Sequence, residues 1–288
     1  MSNPVFDRID KDVSRGGYAG FGDRPARGQQ PPSYGQYGAY QDQMSARQME
    51  DLYNSPSATA AASRKLTVDD VVMKALGLFA IVLITAGVTM FALAPMFGPG
   101  IVLGAIVVTL VLGIVIAMKK TISVPLILAY AAFEGVLVGS VTAIYGNAFG
   151  QGVVATAVIA TLSVFVAMFA GWKTGFIKVT SKSRRIFGMA ILGYLVFAMA
   201  NLVAAWAFGA NSGWGFFGFG SGMSIAISVL AVGLASYSLA MDFDSIDRAV
   251  AAQVPEKYSW LLAHGLIVTL VWLYLEILRL VAQLQGRD

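Results

Sequence analysis

Residues 71–118 read VVMKALGLFAIVLITAGVTMFALAPMFGPGIVLGAIVVTLVLGIVIAM. Lys74 is the one charged residue in this stretch, which divides into apolar runs at 71–94 and 101–118 around Pro95, Gly98, Pro99 and Gly100. About 20 apolar residues cross the hydrocarbon core of a bilayer as a helix, and Pro/Gly clusters mark the turns between elements. The stretch therefore predicts two membrane-spanning helices joined by a tight turn. The same pattern continues at 122–145, 153–171, 186–208, 219–241 and 260–284, with Gly146 to Gly152 and Gly209 to Gly218 as further breaks. The predicted fold is an all-α membrane protein, a bundle of seven transmembrane helices, with no internal repeat.

Composition agrees. The 288 residues are 57% hydrophobic and 12% charged, with mean hydropathy +0.69, whereas soluble chains carry about 25% charged residues. The net charge of +4 comes from residues scattered over short connections. That is how a membrane-inserted chain distributes them, and no nucleic-acid partner is expected. The absence of cysteine excludes disulfides, thiolate zinc sites and thiol nucleophiles. The first apolar run begins too late for a cleavable signal peptide, so the first span is expected to act as the insertion signal. Residues 1–65 form a separate zone rich in Gly, Pro, Gln and Tyr, as in Arg24-Pro25-Ala26-Arg27-Gly28-Gln29-Gln30-Pro31-Pro32. Such a segment buries too little apolar area to offset its ordering entropy, so a disordered tail is expected before a membrane domain at 66–288.

Lysine and arginine alternate along the chain. Arg64 and Lys65 precede the first span, and Lys119 and Lys120 follow the second. Lys173, Lys178, Lys182, Arg184 and Arg185 follow the fourth, and Arg248 and Lys257 the sixth. The first, third and fifth connections carry none. The positive-inside rule then predicts a multi-pass protein of the cell membrane with a cytoplasmic N-terminus.

Ionisable residues at membrane depth cost at least ~2.5 kcal/mol and are functional candidates by default. Glu134 lies roughly 21 Å along its helix from Lys120 at 1.5 Å per residue. Gly135 and Gly139 follow it as a small-xxx-small pair that permits close helix approach. Glu276 interrupts the last helix. It either pairs with Arg279 at i+3 or faces the bundle interior as a proton-titrating or cation-binding group. The sixth span is expected to end at Met241-Asp242-Phe243-Asp244-Ser245-Ile246-Asp247, its acids at the helix exit and Asp244 and Asp247 solvated. His264, the one histidine, lacks the partners for a zinc site and is expected to pack against a neighbouring helix. An intramembrane serine protease is excluded because Phe219, not glycine, stands two residues before Ser221. A retinal protein is excluded because 260–284 holds no lysine. No enzyme, cofactor or metal centre is expected.

Three motifs occur in order. Glu134-Gly135-Val136-Leu137-Val138-Gly139 is similar to the E-G-x-x-x-G signature of the Bax inhibitor-1 family, the transmembrane Bax inhibitor motif group. Asp242 to Ile246 resembles that family's [YF]-D-x-x-x-I ending of helix six, and Leu273-Tyr274-Leu275-Glu276-Ile277 its L-Y-L-D-[IF] motif of helix seven. The resemblance implies a seven-helix protein that leaks calcium in a pH-sensitive way, with calcium as permeant ion rather than cofactor. It also implies a proton-sensing carboxylate pair from helices six and seven, which falls on Asp242 and Glu276. Two adjacent carboxylates share one proton more readily than they carry two charges, and ionised they offer hard oxygen ligands to calcium. This chain has glutamate where the family has aspartate, and a longer connection between the two acids. A simply lengthened hairpin would offset them by ~20 Å in depth at 1.5 Å per residue, so that Glu134 matches Glu276 in depth better than Asp242 does. The alternative function is a non-conducting modulator of another membrane protein, such as a protease or stress-response complex, with the tail as docking arm.

Overall fold

The computed structural model describes residues 64–97, 100–208 and 222–286. The expected disordered tail, apart from Arg64 and Lys65, lies outside the described residues. Among those described, seven helices are long and apolar enough to cross a membrane. They are α1 (Val68–Val88), α2 (Gly100–Met118), α3 (Val124–Phe149), α4 (Gln151–Lys173), α5 (Ser181–Phe208), α6 (Gly222–Ala251) and α7 (Ser259–Gln285).

The start of α1 is written locally: Thr67 caps it through the Asp70 amide while the Asp70 carboxylate returns to the Thr67 amide, a capping box that satisfies two orphan donors. The helix does not stop before Pro95 as the turn residues predict. It widens into a π-helical turn at Thr89–Leu93 and continues through Ala94–Phe97. Proline has no amide hydrogen for the bond to residue i−4, and a π turn absorbs that mismatch without ending the helix.

The outer faces present Met73, Ile84, Phe91, Leu103, Ile159 and Val196 to the surroundings. An apolar belt of that extent is stable only against lipid. Inside the belt, α7 is the hub: 78% of its membrane-spanning stretch is buried, against 11% of α5. It packs on α1, α3, α4 and α6. α3 joins α1 in the most extensive helix pair because Gly135 and Gly139 let the backbones meet. A Cβ at Gly135 would lie 2.5 Å from the Val82 carbonyl oxygen, and one at Gly139 would lie 2.9 Å from the Ala86 Cα. The glycine seam read from the sequence is a contact with α1.

Two registers fix depth in the bundle. α6 runs antiparallel to α7, with Asp242 beside Thr269 and Ser228 bonded to Gln283 at 2.7 Å. α3 runs parallel to α7, with the Tyr130 ring on His264 (centroids 4.4 Å apart, edge-on) and Thr142 bonded to Tyr274 at 2.9 Å. His264 thus packs against a neighbouring helix, as its isolation in the sequence suggests.

The end of the bundle that carries the lysines and arginines is also where the chain enters α1. There Leu66 donates its amide to the Val254 carbonyl and Glu256 donates its own to the Arg64 carbonyl, both at 2.8 Å. Lys65 reaches the Gln253 side chain at 2.5 Å and Lys74 the Glu256 carboxylate at 2.9 Å. The entry segment is therefore clasped to the α6–α7 connection, a short turn through Gln253 (φ 53) and a 3₁₀ turn at Glu256–Tyr258.

α6 corrects the sequence reading. It does not end at Met241 but continues to Ala251, so Asp242, Asp244 and Asp247 are helical rather than at an exit. The backbone tolerates them because each side chain finds its own direction. Asp242 turns inward, and Asp244 pairs with Arg184 of α5 and with Arg248 at 3.2 Å.

Candidate functional site

Three carboxylates are buried against the hub: Glu134 (5% exposed), Asp242 (1%) and Glu276 (6%). Each approaches α7 from a different direction or sits on it.

Glu134 faces inward from α3. Its polar neighbour is Tyr130, one turn below it, which in turn stacks on His264. By the α3–α7 register, Glu134 stands near the level of Thr269, about 15 Å from the basic end of its helix at 1.5 Å per residue. Asp242 faces α7 from α6, with Thr269 as its polar neighbour. Its Oδ2 atom has no hydrogen-bond partner among the described residues. A buried carboxylate oxygen left without a donor is costly and uncommon.

Glu276 is the best-connected of the three. Its Oε2 lies 2.5 Å from the Arg279 guanidinium. Its Oε1 accepts from the Tyr194 hydroxyl of α5 at 2.6 Å and from the Trp272 indole at 3.1 Å. Arg279 donates through Nε to Ser228 of α6 at 3.1 Å, and Ser228 donates to Gln283. One polar network thus joins α5, α6 and α7. Glu276 thus faces the interior and pairs with Arg279 at i+3.

The structure does not bring Asp242 and Glu276 together. Thr269, beside Asp242, is seven residues from Glu276, which is about 10 Å along α7 at 1.5 Å per residue. Nor does Glu134 match Glu276 in depth. The α3–α7 register sets it level with Asp242 instead, on the opposite side of α7. A lengthened hairpin was expected to push the first acid toward the basic end. Continuation of α6 to Ala251 puts the additional residues into helix on that side, and Asp242 stays about 14 Å inside at 1.5 Å per residue. Among the described residues no three of Asp, Glu and His converge as metal ligands do.

Sequence reasoning did not find Tyr194, Ser228 or Gln283. Tyr194 and Gln283 are polar groups in apolar helices and could have been flagged as such; a serine like Ser228 carries no comparable signal.

A family model described as Bax inhibitor 1 like matches residues 3–286, nearly the whole chain. The chain belongs to the Bax inhibitor 1 like family. The motifs that carry the resemblance hold the three buried acids, Glu134 on α3, Asp242 on α6 and Glu276 on α7. No curated protein matches the chain significantly. Membership in this family and the seven apolar helices together identify a multi-pass membrane protein.

Proposed function

We propose that this protein is a pH-sensitive cation leak of the cell membrane, with calcium as permeant ion, gated by protonation of an intramembrane carboxylate. Asp242 carries this reading. It is buried, one oxygen lacks a donor, and its polar neighbour Thr269 is on the hub helix. Ionising Asp242 in these apolar surroundings favours any rearrangement that admits water, and protonation removes that drive. Of the other titratable groups, Asp244 pairs with Arg184 and Arg248, His264 packs on Tyr130, and Glu276 pairs with Arg279. Glu134, level with Asp242 across α7, is the second carboxylate a cation would pass.

Purified protein in calcium-loaded liposomes tests this. Flux is expected to change steeply between about pH 5 and 8. Asp242→Asn should flatten the profile while the protein stays folded, because the amide keeps size and polarity but cannot titrate. A profile unchanged by Asp242→Asn, or no flux from the wild type, would overturn the reading. The second outcome would favour the alternative, a non-conducting modulator. One observation supports that alternative: the segment leading out of residues 1–63 is clasped to the α6–α7 connection, so a partner bound there would pull directly on the hub helix.

Sidedness is part of the proposal. Single cysteines introduced at Gly98, Asn147 and Asn211 into this cysteine-free chain should react with an impermeant reagent added outside intact cells. Reaction only after permeabilisation would invert the topology.

A further inference from the structure

α1 and α4 both flank α7 without closing on each other. Between them run two cavities, of about 220 and about 410 Å³, that share Phe79 of α1, Leu162 of α4 and Leu270 of α7 as common walls. They form one groove, of a size that takes a small ligand, open sideways between two helices whose outer faces meet lipid. The polar groups along its inner part are already engaged: Thr142 with Tyr274, and Thr161 with the Ala157 carbonyl at 2.7 Å. A water there would lack the partners it needs. The occupant must be apolar, and what lies against such a seam is hydrocarbon.

The end of the groove nearer the basic face has a different chemistry. Phe165, Phe169 and Trp172 of α4 gather around Phe243 of α6 at centroid distances of 5.6, 5.4 and 5.5 Å. Trp172, the ring of this cluster nearest the basic end of α4, is of the type enriched at the headgroup level of a bilayer. Next to Trp172, Lys173 holds its ammonium 5.8 Å above the Phe169 ring. One turn beyond Phe243, Asp247 forms part of the groove wall. The apolar slot thus has an anion in its wall and a cation over one of its aromatic rings, and neither is in an ion pair among the described residues.

We propose that the groove binds one acyl chain of a phospholipid with a primary-ammonium headgroup, phosphatidylethanolamine, its phosphate at Lys173 and its ammonium at Asp247. The pairing of charges selects the headgroup. A primary ammonium offers three N–H donors to a carboxylate. A choline group offers none, and a glycerol headgroup leaves Asp247 facing a net negative lipid.

Native mass spectrometry of the full chain, released from mild detergent after incubation with equal amounts of phosphatidylethanolamine, phosphatidylcholine and phosphatidylglycerol, tests the assignment. One phosphatidylethanolamine adduct should outlast the others. Asp247→Asn should cut its preference over phosphatidylcholine about tenfold, equivalent to ~1.4 kcal/mol, the worth of one charge-assisted hydrogen bond. Leu162→Trp and, from the opposite wall, Leu76→Trp should each abolish the adduct. Both leucines are about half exposed (47% and 57%), so the larger ring enters the groove rather than the core. Retention of all three lipids alike, or an adduct that survives both tryptophans, would overturn the proposal. A dimer lost in Leu162→Trp, with no lipid adduct, would assign the groove to a second copy of the chain instead.

Discussion

Gly139→Leu is expected to leave no folded protein, and Gly139→Ala to destabilise the bundle by about 2–3 kcal/mol, the cost of overpacking a filled contact. A Cβ at this position would lie 2.9 Å from the Ala86 Cα, and closer still to the Ala86 carbonyl oxygen. Neither atom can move without shifting α1 as a whole. Because α1 and α3 form the most extensive helix pair, separating them also removes α1 from the hub. Glycine in a helix interior otherwise costs about 1 kcal/mol relative to alanine, so the effect has an internal control. Gly77 of α1 and Gly104 of α2 have open space where a Cβ would stand, and alanine there should be neutral or slightly stabilising. Thermal unfolding in detergent, followed by intrinsic fluorescence, measures all three. Equal behaviour of the alanine variants at 77, 104 and 139 would mean that the seam is not tight.

The second large effect concerns the ion pair in the hub. Arg279→Met should destabilise the protein by about 3–5 kcal/mol, because it leaves Glu276 charged and buried without its counter-ion. Glu276→Gln should cost less. The amide oxygen can still accept from Tyr194 and Trp272, and Arg279 keeps its bond to Ser228. The double variant Glu276→Gln/Arg279→Met should recover most of the loss, since neither uncompensated charge remains. That non-additivity, read from a double-mutant cycle of unfolding free energies, is the diagnostic quantity. The pH profile of liposome flux separates structure from gating. If Glu276 serves chiefly as the counter-ion of Arg279, Glu276→Gln shifts stability and leaves the profile in place, whereas Asp242→Asn flattens it. A flattened profile in Glu276→Gln would return Glu276 to the proton-sensing site.

The seven spans were legible because lipid imposes an apolar length on each helix, and the glycine seam because two small residues four apart can serve few other purposes. Helix ends were less legible. Asp242 looked like an exit because a charge usually marks the water boundary. Yet a helix stops where its backbone loses partners, and the α6 backbone keeps its own bonds to Ala251. Arg279 was legible as a partner of Glu276 because it lies on the same helix. Tyr194 and Ser228 come from α5 and α6, and no spacing along the chain encodes contacts between helices. The depth of Glu134 was misjudged for the same reason. Depth is set by register against α7, which becomes visible only through contacts such as Tyr130 with His264 and Thr142 with Tyr274.

The hub helix is made after the other six. At the usual pace of about 5–20 residues per second, a ribosome needs roughly 10–40 s to pass from α1 to the end of α7. For that interval the emerging chain must lodge in the translocation machinery or the bilayer with its organiser absent. α1 and α3 can already zip together through Gly135 and Gly139. Asp242, Ser228 and Tyr194, by contrast, face lipid or transient helpers until their counterparts arrive. Loss of the 27 residues of α7 would therefore deprive the four helices that pack on it of their common partner, and a nascent chain stalled before Ser259 should be a substrate for membrane quality control.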